Sequence, residues 1–331
     1  MYMNKTSDIQ NLRACINGYK IAQVLMSAEE IGIFAAIALG YRTVTGIATH
    51  TAINAERVTI ILNALECIGI LRRTGETYEF TQYGELLDPR CERAQNGYLR
   101  YAASVKGLWS SLGQVLRDPE CTSQNFASIT GGDDELTTRF LAAMDANARP
   151  QARWLAEHFD FTDHAVLDMG AGAGTYSIAV ANQYPSAQVV ACDLPEISNA
   201  LSLQIEKAKL SKRVHTQTGD YHLTLPQGPF DDVFLFAVIH QESPEACLDL
   251  LRKVKQVVRP SGKLFMTSFF VDDSRSRPEF AVLFAVEMLV MVPGGRVYSF
   301  TEIECLLKDA GFTSIEKHDE IPGPATLYIA S

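Results

Sequence analysis

One histidine of the sequence stands where an imidazole could act on a bound ligand. The apolar run "VFLFAVI" ends at His240, and Ser243 and Pro244 then begin a helical pattern. Ligands of open α/β folds bind at the carboxyl ends of the strands, and an imidazole with a pKa of ~6.5 can accept a proton at neutral pH. The sequence therefore favours His240 as a general base. A histidine that merely caps the strand is the alternative, and it explains the residue less well because Ser243 can cap the helix.

A glycine-rich turn is the strongest sign of a ligand. In "VLDMGAGAGTYSIAVA" a strand ends at Asp168, Gly170, Gly172 and Gly174 follow, and a helix begins directly afterwards. Glycine permits such a sharp turn and lets a ligand approach the backbone closely. The stretch therefore predicts a ligand at the junction of a strand and a helix.

The class of ligand follows from the spacing. A second strand ends at Asp193, where a carboxylate can accept hydrogen bonds from both ribose hydroxyls. The third glycine comes one place earlier than in the dinucleotide fingerprint G-x-G-x-x-G, and Thr175 occupies the expected place. No lysine follows the glycines, which excludes a P-loop. The pattern predicts an adenosine-containing ligand, and a tight turn followed by a chance aspartate is the alternative.

Alternating strands and helices must position these residues. From residue 165 onward, short apolar and partly β-branched runs are separated by helical segments. This alternation predicts an α/β fold with a doubly wound, Rossmann-like parallel sheet. The chain ends with "FTSIEKHD" and "ATLYIAS", joined by "EIPGP". That ending predicts a hairpin with a tight turn and one antiparallel terminal strand.

The first third of the chain has a different pattern. Helical periodicity is followed by two short predicted helices with Thr43 and Asn54 as N-caps. Two strand-like pieces around Thr74-Gly75 come next, so the outline is that of a winged helix, and helical patterns continue to residue 160. We expect a winged-helix-like dimerisation domain at 1–105, linking helices at 106–160 and a ligand-binding domain at 161–331.

Charge argues against nucleic acid as a partner. The formal net charge is −10, and residues 1–110 contain 11 Lys or Arg and 10 Asp or Glu. The helix that would read DNA offers Arg57 as its cation, beside Glu56 and Glu66. Because DNA affinity depends mostly on neutralised phosphates, we expect a packing or dimerisation module instead.

Cysteine usage and apolar stretches indicate a cytoplasmic protein. Seven cysteines are scattered without a CxxC pair, which is typical of reduced thiols. The polar start "MYMNKTSDIQ" shows no secretion signal. The longest apolar stretch, residues 280–292, is too short to span a membrane.

Several segments occur in an order that resembles one enzyme family. The form D-x-G-x-G-x-G resembles the first motif of class I S-adenosylmethionine (SAM) methyltransferases. The other segments are "FLAAMDANA", "CDLP", "GDY", "HQESPEAC" and "PGGRVYSFTEIECLLKDAGF". Together with the winged helix, they resemble the small-molecule O-methyltransferases typified by plant caffeic acid and animal acetylserotonin O-methyltransferases. In that family the N-terminal domain dimerises and contributes to the partner's acceptor pocket.

The resemblance implies a role for individual residues. His240 falls on the catalytic base, Gly170 on the methionine part of SAM and Asp193 on its ribose. The remaining implied SAM-binding residues are Asp168, Gly172, Gly174 and Leu194, with Asp220, Tyr221 and Phe236 around the adenine. The implied acceptor-pocket residues are Phe140, Met144, Asn147, Met288, Met291 and Val292. For each Met or Phe of the acceptor set, core packing is the alternative.

Two departures from the family pattern concern carboxylates. Plant members flank the histidine with two glutamates, and those positions are Ser268 and Val297 here. Glu287 stands in an apolar helix where the family usually has an apolar residue. A lone carboxylate there is costly unless it is paired. We expect Glu287 either to form a salt bridge, with Arg296 or Arg149 or a partner subunit, or to face the pocket as the carboxylate nearest to His240.

The sequence as a whole predicts a homodimeric SAM-dependent methyltransferase that acts on a hydroxyl of an aromatic or polyketide-like secondary metabolite. We expect no metal, no nucleic acid and no membrane partner. N- or C-methylation, or a SAM-assisted reaction without methyl transfer, remains the alternative within the class. A non-catalytic SAM-binding or DNA-binding regulator is the rival from another class.

Overall fold

The computed structural model describes residues 8–118, 120–122 and 134–331. The chain divides into two compact units, with the boundary after Lys106. No helix in these described ranges is long and apolar enough to cross a membrane. The functional roles assigned above to 1–105, 106–160 and 161–331 remain predictions.

The first unit consists of helices followed by a small hairpin. Its elements are α1 (Asp8–Glu30), α2 (Ile33–Ala38), α3 (Val44–Thr51), α4 (Ala55–Cys67), β1 (Leu71–Thr74) and β2 (Thr77–Phe80), then a 3-10 turn (Gly84–Leu87) and α5 (Asn96–Trp109), which runs across the boundary. β1 and β2 pair antiparallel. The Thr43 side chain accepts a hydrogen bond from Gly46 N, and Asn54 accepts from the first turn of α4, so both predicted N-caps are confirmed. This order of elements is the one expected of a winged helix, which itself remains a prediction.

The second unit is built on a mixed sheet. The described strands are β3 (Ala165–Met169), β4 (Gln188–Asp193), β5 (Val214–Thr218), β6 (Phe230–Phe236), β7 (Val258–Ser268), β8 (Ile315–His318) and β9 (Thr326–Ala330). They lie in the order β5-β4-β3-β6-β7-β9-β8. The neighbouring strands β5, β4, β3, β6 and β7 are all parallel. β9 is antiparallel to both of its neighbours, β7 and β8. The predicted α/β fold with an antiparallel terminal strand is confirmed.

Helices cover both faces of the sheet in this unit, and the apolar core lies between the helices and each face. The helices are α6 (Leu112–Val115), α7 (Asp134–His158), α8 (Thr175–Gln183), α9 (Pro195–Lys207), α10 (Pro244–Val257), α11 (Glu279–Met291) and α12 (Phe300–Asp309). On β6, Val233 and Leu235 pack with residues of α10 and α12, whereas Phe234 and Phe236 pack with residues of α8 and α9. Successive strand residues point to opposite faces, so β6 is apolar on both, as in parallel sheets that are covered on each side.

The order of the strands creates one reversal point. After β3 the chain adds β4 and β5 on one side, and then returns to place β6 on the other side of β3. In open α/β sheets, ligands bind outside the carboxyl ends of the strands at such a point. The glycine turn after β3 and the segment after β6 both lie there.

Two predicted boundaries differ from the structure. β6 ends at Phe236, not at His240. Ala237 adopts a φ of 55°, which turns the chain out of the strand, and residues Ile239–Gln241 form a 3-10 turn. The connection between β8 and β9 covers residues 319–325, so it is a longer loop than the tight turn that "EIPGP" suggested.

Candidate functional site

The three glycines after β3 are required by the backbone. Gly170, Gly172 and Gly174 have φ values of 68°, 56° and 76°, a region that side chains other than glycine rarely adopt. A Cβ on Gly170 would also lie 2.7 Å from Val238 Cγ2, and one on Gly174 would lie 2.8 Å from Leu201 Cδ1. The turn is therefore held close to the segment that follows β6. Its backbone N–H groups stabilise it from within, since those of Gly170 and Ala171 donate to Cys192 O and that of Gly174 donates to Ala171 O.

Asp193 is fixed beside this turn. It is the last residue of β4, and its Oδ2 accepts a hydrogen bond from Gly172 N at 2.7 Å. Its Oδ1 accepts from Leu194 N, also at 2.7 Å. Burial raises the pKa of the carboxyl, and the two backbone hydrogen bonds oppose that shift. Because each carboxylate oxygen has a further lone pair, the group can still accept hydrogen bonds from two ligand hydroxyls.

Asp168 occupies a different place from the one expected. β3 continues past it to Met169, and the residue is 2% exposed. Its Oδ2 accepts a hydrogen bond from Ser177 Oγ at 2.6 Å, and burial raises the pKa of the carboxyl to about 6. Asp168 thus ties the strand to the first turn of α8 behind the glycine turn, and it does not present its carboxylate to a ligand.

Tyr221 is held by a residue that sequence reasoning missed. Asp220 and Tyr221 follow β5, and the Tyr221 hydroxyl donates to Glu242 Oε1 at 2.7 Å. His222 Nε2 lies 3.3 Å from the same oxygen. Burial and the neighbouring Glu242 both raise the pKa of Tyr221. The available signal for Glu242 was a carboxylate two positions after His240, but its partner lies on another loop and could not be read from spacing.

Phe236 does not join Tyr221. Its ring lies 4.1 Å from that of Tyr176 and stacks on Phe234 with centroids 4.9 Å apart. It belongs to the apolar cluster on the α8 and α9 face of the sheet, whereas Tyr221 packs against the cluster on the α10 face. Phe236 ends β6 at the carboxyl edge of the sheet, and its place beside the adenine remains a prediction.

His240 is buried against aromatic and neutral polar groups. The residue is 8% exposed, and its ring stands edge-on to Phe284 with centroids 5.0 Å apart. Its Nδ1 lies 3.5 Å from Ser268 Oγ. Burial lowers the pKa of the imidazole from its ordinary 6.5 to about 4, because a charged ring would lose its hydration. The imidazole is therefore neutral at pH 7.

The contact with Ser268 bears on which ring nitrogen is free. If Nδ1–H donates to Ser268 Oγ, Nε2 carries no proton and can accept one from a ligand. Ser268 itself is 2% exposed at the end of β7. A neutral hydroxyl thus stands where the plant members have a glutamate, and Val297, at the second such position, is buried too.

Glu287 does not serve His240 as a carboxylate partner. Within the described part of the chain it has neither a hydrogen-bond nor an ion-pair partner, and burial raises its pKa. The two arginines that were expected as partners are engaged elsewhere, Arg149 with Asp145 and Arg296 over the Tyr298 ring. On α11 the residue that meets the imidazole is Phe284, and a position three residues later is rotated by ~60° about the helix axis.

The predicted acceptor residues lie on two helices. On α7, Phe140 and Met144 are half-buried and Asn147 is exposed. On and just after α11, Met288 and Met291 are 6% and 3% exposed and Val292 is half-buried. Leu194, in the SAM set, is 40% exposed beside Asp193. Their membership of one pocket remains a prediction.

Across residues 8–118, 120–122 and 134–331, no group of three or more His, Cys, Asp or Glu side chains is arranged to hold a metal ion.

Comparison with known proteins places this chain in a family. The profile of the O-methyltransferase domain matches residues 120–313. The SAM-dependent methyl transferase PigF of a Serratia species is 30% identical over 281 residues, which cover 81% of this chain and 80% of PigF. The tetracenomycin polyketide synthesis 8-O-methyl transferase TcmO of Streptomyces glaucescens is 27% identical over 315 residues, which cover 93% of this chain and 92% of TcmO.

A solved structure has the same fold along nearly the whole chain. The crystal structure of human N-acetylserotonin methyltransferase in complex with SAM superposes with a TM-score of 0.86 at 21% identity, and the match covers 99% of each chain. The profile matches more than half of the chain, and PigF is 30% identical over most of it. The chain therefore belongs to the O-methyltransferase family and is an enzyme that uses SAM.

Proposed function

We propose that this enzyme transfers the methyl group of SAM to a hydroxyl group of a small secondary metabolite and that His240 accepts the hydroxyl proton. The observation that carries the proposal is a buried, neutral imidazole just beyond β6, whose flanking Val238 touches the glycine turn after β3. The base and the cofactor site are thus adjacent on one edge of the sheet.

The residues present fit SAM. The half-buried Asp193 carboxylate keeps acceptor capacity for ribose hydroxyls, and the positive φ of Gly170 and Gly172 lets a ligand approach the backbone of the turn closely. Bound SAM supplies a methyl group whose carbon–sulfur bond breaks as the acceptor oxygen forms its bond to that carbon. Gly170 would lie against the methionine part of SAM and Asp193 would bind its ribose, while Asp220 and Tyr221 would flank the adenine.

His240 receives the proton at Nε2 while Nδ1–H donates to Ser268. With a pKa of about 4 the imidazole is a weak base. Proton removal therefore contributes less than the alignment of the acceptor oxygen with the methyl carbon, which can supply several kcal/mol of the barrier. Phe284 and Phe269 support this alignment because they fix the plane of the ring and exclude water.

The relatives support a hydroxyl acceptor. The names of TcmO, a mitomycin biosynthesis 6-O-methyltransferase and an O-demethylpuromycin-O-methyltransferase all place their methyl groups on oxygen of a secondary metabolite. We extend that substrate class to this enzyme. Half-buried and buried apolar side chains on α7 and α11 suit an aromatic or polyketide-like acceptor.

Replacement of His240 tests the base. His240→Ala is expected to lower kcat by ~10²–10⁴ while the affinity for SAM is unchanged, because the side chain acts on the acceptor proton. Turnover with methyl-labelled SAM measures the first quantity and calorimetry the second. His215→Ala, at an exposed position of β5, is the control. Turnover of His240→Ala close to that of the wild type would show that alignment alone carries the reaction.

Replacement of Asp193 tests the cofactor site. Asp193→Ala is expected to weaken SAM binding by ~1.5–3 kcal/mol, the range for hydrogen bonds to a charged group. Calorimetry with SAM and with NAD makes the measurement, and NAD is expected to bind hardly at all. Glu206→Ala, exposed in the last turn of α9, is the control. Tighter binding of NAD than of SAM by the wild type would refute the proposed cofactor.

We further propose that residues 1–105 are a dimerisation domain, that 106–160 link it to the SAM domain at 161–331, and that the enzyme is a cytoplasmic homodimer. Support for self-association comes from one face of α1, where Ile9, Leu12, Ile16 and Tyr19 are 61–67% exposed. Their spacing of three and four residues forms one apolar stripe, and contiguous exposed apolar surface usually marks an interface. The seven free cysteines support a reducing compartment.

Charge on the apolar stripe of α1 tests the dimer. Light scattering of the wild type is expected to give twice the mass of one chain at micromolar concentration. Ile16→Glu should shift the protein toward monomer, since it introduces a charge into the stripe, whereas Ala14→Glu, on the same helix outside the stripe, should not. A wild type that is monomeric and fully active would contradict the assembly.

A further inference from the structure

Glu242 is a buried carboxylate with unusually well defined contacts. The residue is 4% exposed. Its Oε1 accepts a hydrogen bond from the Tyr221 hydroxyl at 2.7 Å, and His222 Nε2 lies 3.3 Å from the same atom. Its backbone oxygen accepts a hydrogen bond from the Tyr298 hydroxyl at 2.7 Å. The side chain and the main chain of Glu242 are thus both fixed.

A carboxylate in this position is costly to bury. An ionised group loses its hydration and needs hydrogen bonds or an opposite charge in return. The neighbouring His222 side chain is 51% exposed, so solvent screens whatever charge it carries. The short hydrogen bond from the Tyr221 hydroxyl therefore compensates most of this cost. If the position served packing alone, an apolar residue would be more favourable there.

The position of Glu242 in the chain connects three parts of the site. Val238 packs against Gly170 of the glycine turn. His240 comes two residues after Val238, and Glu242, two residues after His240, contacts Tyr221. Residues 238–242 are held by 3-10 hydrogen bonds, from Gln241 N to Val238 O at 3.0 Å and from Glu242 N to Ile239 O at 3.1 Å. One short, rigid segment therefore contacts the turn after β3 and the loop after β5, with His240 between them.

We propose that Glu242 is a positioning residue, which holds Tyr221 in place through the 2.7 Å hydrogen bond and thereby sets the affinity for the adenosine part of SAM. The proposal rests on the proposed function, since Tyr221 is taken there to flank the adenine. Glu242 does not touch the reacting atoms. Its effect reaches the cofactor through the Tyr221 ring, and the shared segment keeps that ring at a fixed separation from His240.

Calorimetry with S-adenosylhomocysteine, the demethylated product, on single and double variants tests the proposal. Glu242→Ala and Tyr221→Phe each remove the same hydrogen bond, so each is expected to raise Kd about tenfold. The double variant Glu242→Ala/Tyr221→Phe should bind no more weakly than either single variant, because the interaction is lost once. Glu242→Gln keeps an acceptor oxygen for Tyr221 and should retain most of the affinity.

Steady-state rates supply a readout that a purely structural role would not move. The variants should raise KM for SAM more than they lower kcat, with KM for the acceptor unchanged. A structural role would reduce the amount of folded enzyme and its Tm but leave Kd of the folded fraction as in the wild type. Glu245→Ala, an exposed change near the start of α10, is the matched control and should leave Kd unchanged.

Binding measurements separate a failure of the proposed function from a failure of the role proposed for Glu242. A wild type that does not bind S-adenosylhomocysteine overturns the proposed function itself. A wild type that binds it, with Glu242→Ala and Tyr221→Phe at wild-type Kd, overturns the role of Glu242 alone. If the two effects add in the double variant, so that its Kd rises about a hundredfold, Glu242 acts independently of Tyr221, and this result also overturns the proposal. If Glu242→Ala does not fold, a wild-type Kd for Tyr221→Phe is sufficient to reject it.

Discussion

Exclusion of water from the His240 imidazole is the constraint on which the rest of the site depends. Phe284 and Ser268 close around the ring, and the pKa falls from 6.5 to about 4 because the charged form loses its hydration. Between those two values the unfolded chain binds a proton that the folded protein does not. This group therefore lowers the stability of the fold as pH falls from 6.5 toward 4 and has no such effect at neutral pH. A neutral hydroxyl at Ser268 and an apolar side chain at Val297 suit a ring that stays uncharged, whereas a carboxylate at either place would favour the imidazolium.

Backbone geometry then brings the base to the cofactor. The reversal of strand order at β3 places the glycine turn and the segment after β6 side by side. At Gly170 the two come so close that Val238 leaves no room for a Cβ. Asp193 reinforces the turn through Gly172 N and remains available to ribose hydroxyls. Asp168 supports the same turn from behind through Ser177. The site is therefore made of short connections between parallel strands, and each of them is fixed by hydrogen bonds that do not depend on the ligand.

The residues that sequence reasoning placed well are those governed by local rules. Gly170, Gly172 and Gly174 were recognisable because the turn demands positive φ, and Asp193 because it ends the next strand. The misplaced ones depend on facts that sequence spacing does not carry. Glu287 was expected to be the carboxylate nearest to His240, but the residue of α11 that contacts the imidazole is Phe284. Glu242 meets Tyr221 through tertiary packing, which no local pattern encodes.

The protonation state of His240 in the folded enzyme can be measured by NMR spectroscopy. Proton–nitrogen correlation spectra of histidine-labelled enzyme, with the His240 signals assigned by their loss in His240→Ala, would follow the ring through a pH titration. We predict a neutral ring with the proton on Nδ1 at pH 7 and a pKa of about 4. A His240 that titrates at or above 6.5, or that carries its proton on Nε2 at neutral pH, would contradict the claim that a buried, neutral imidazole stands ready to accept the proton of the acceptor.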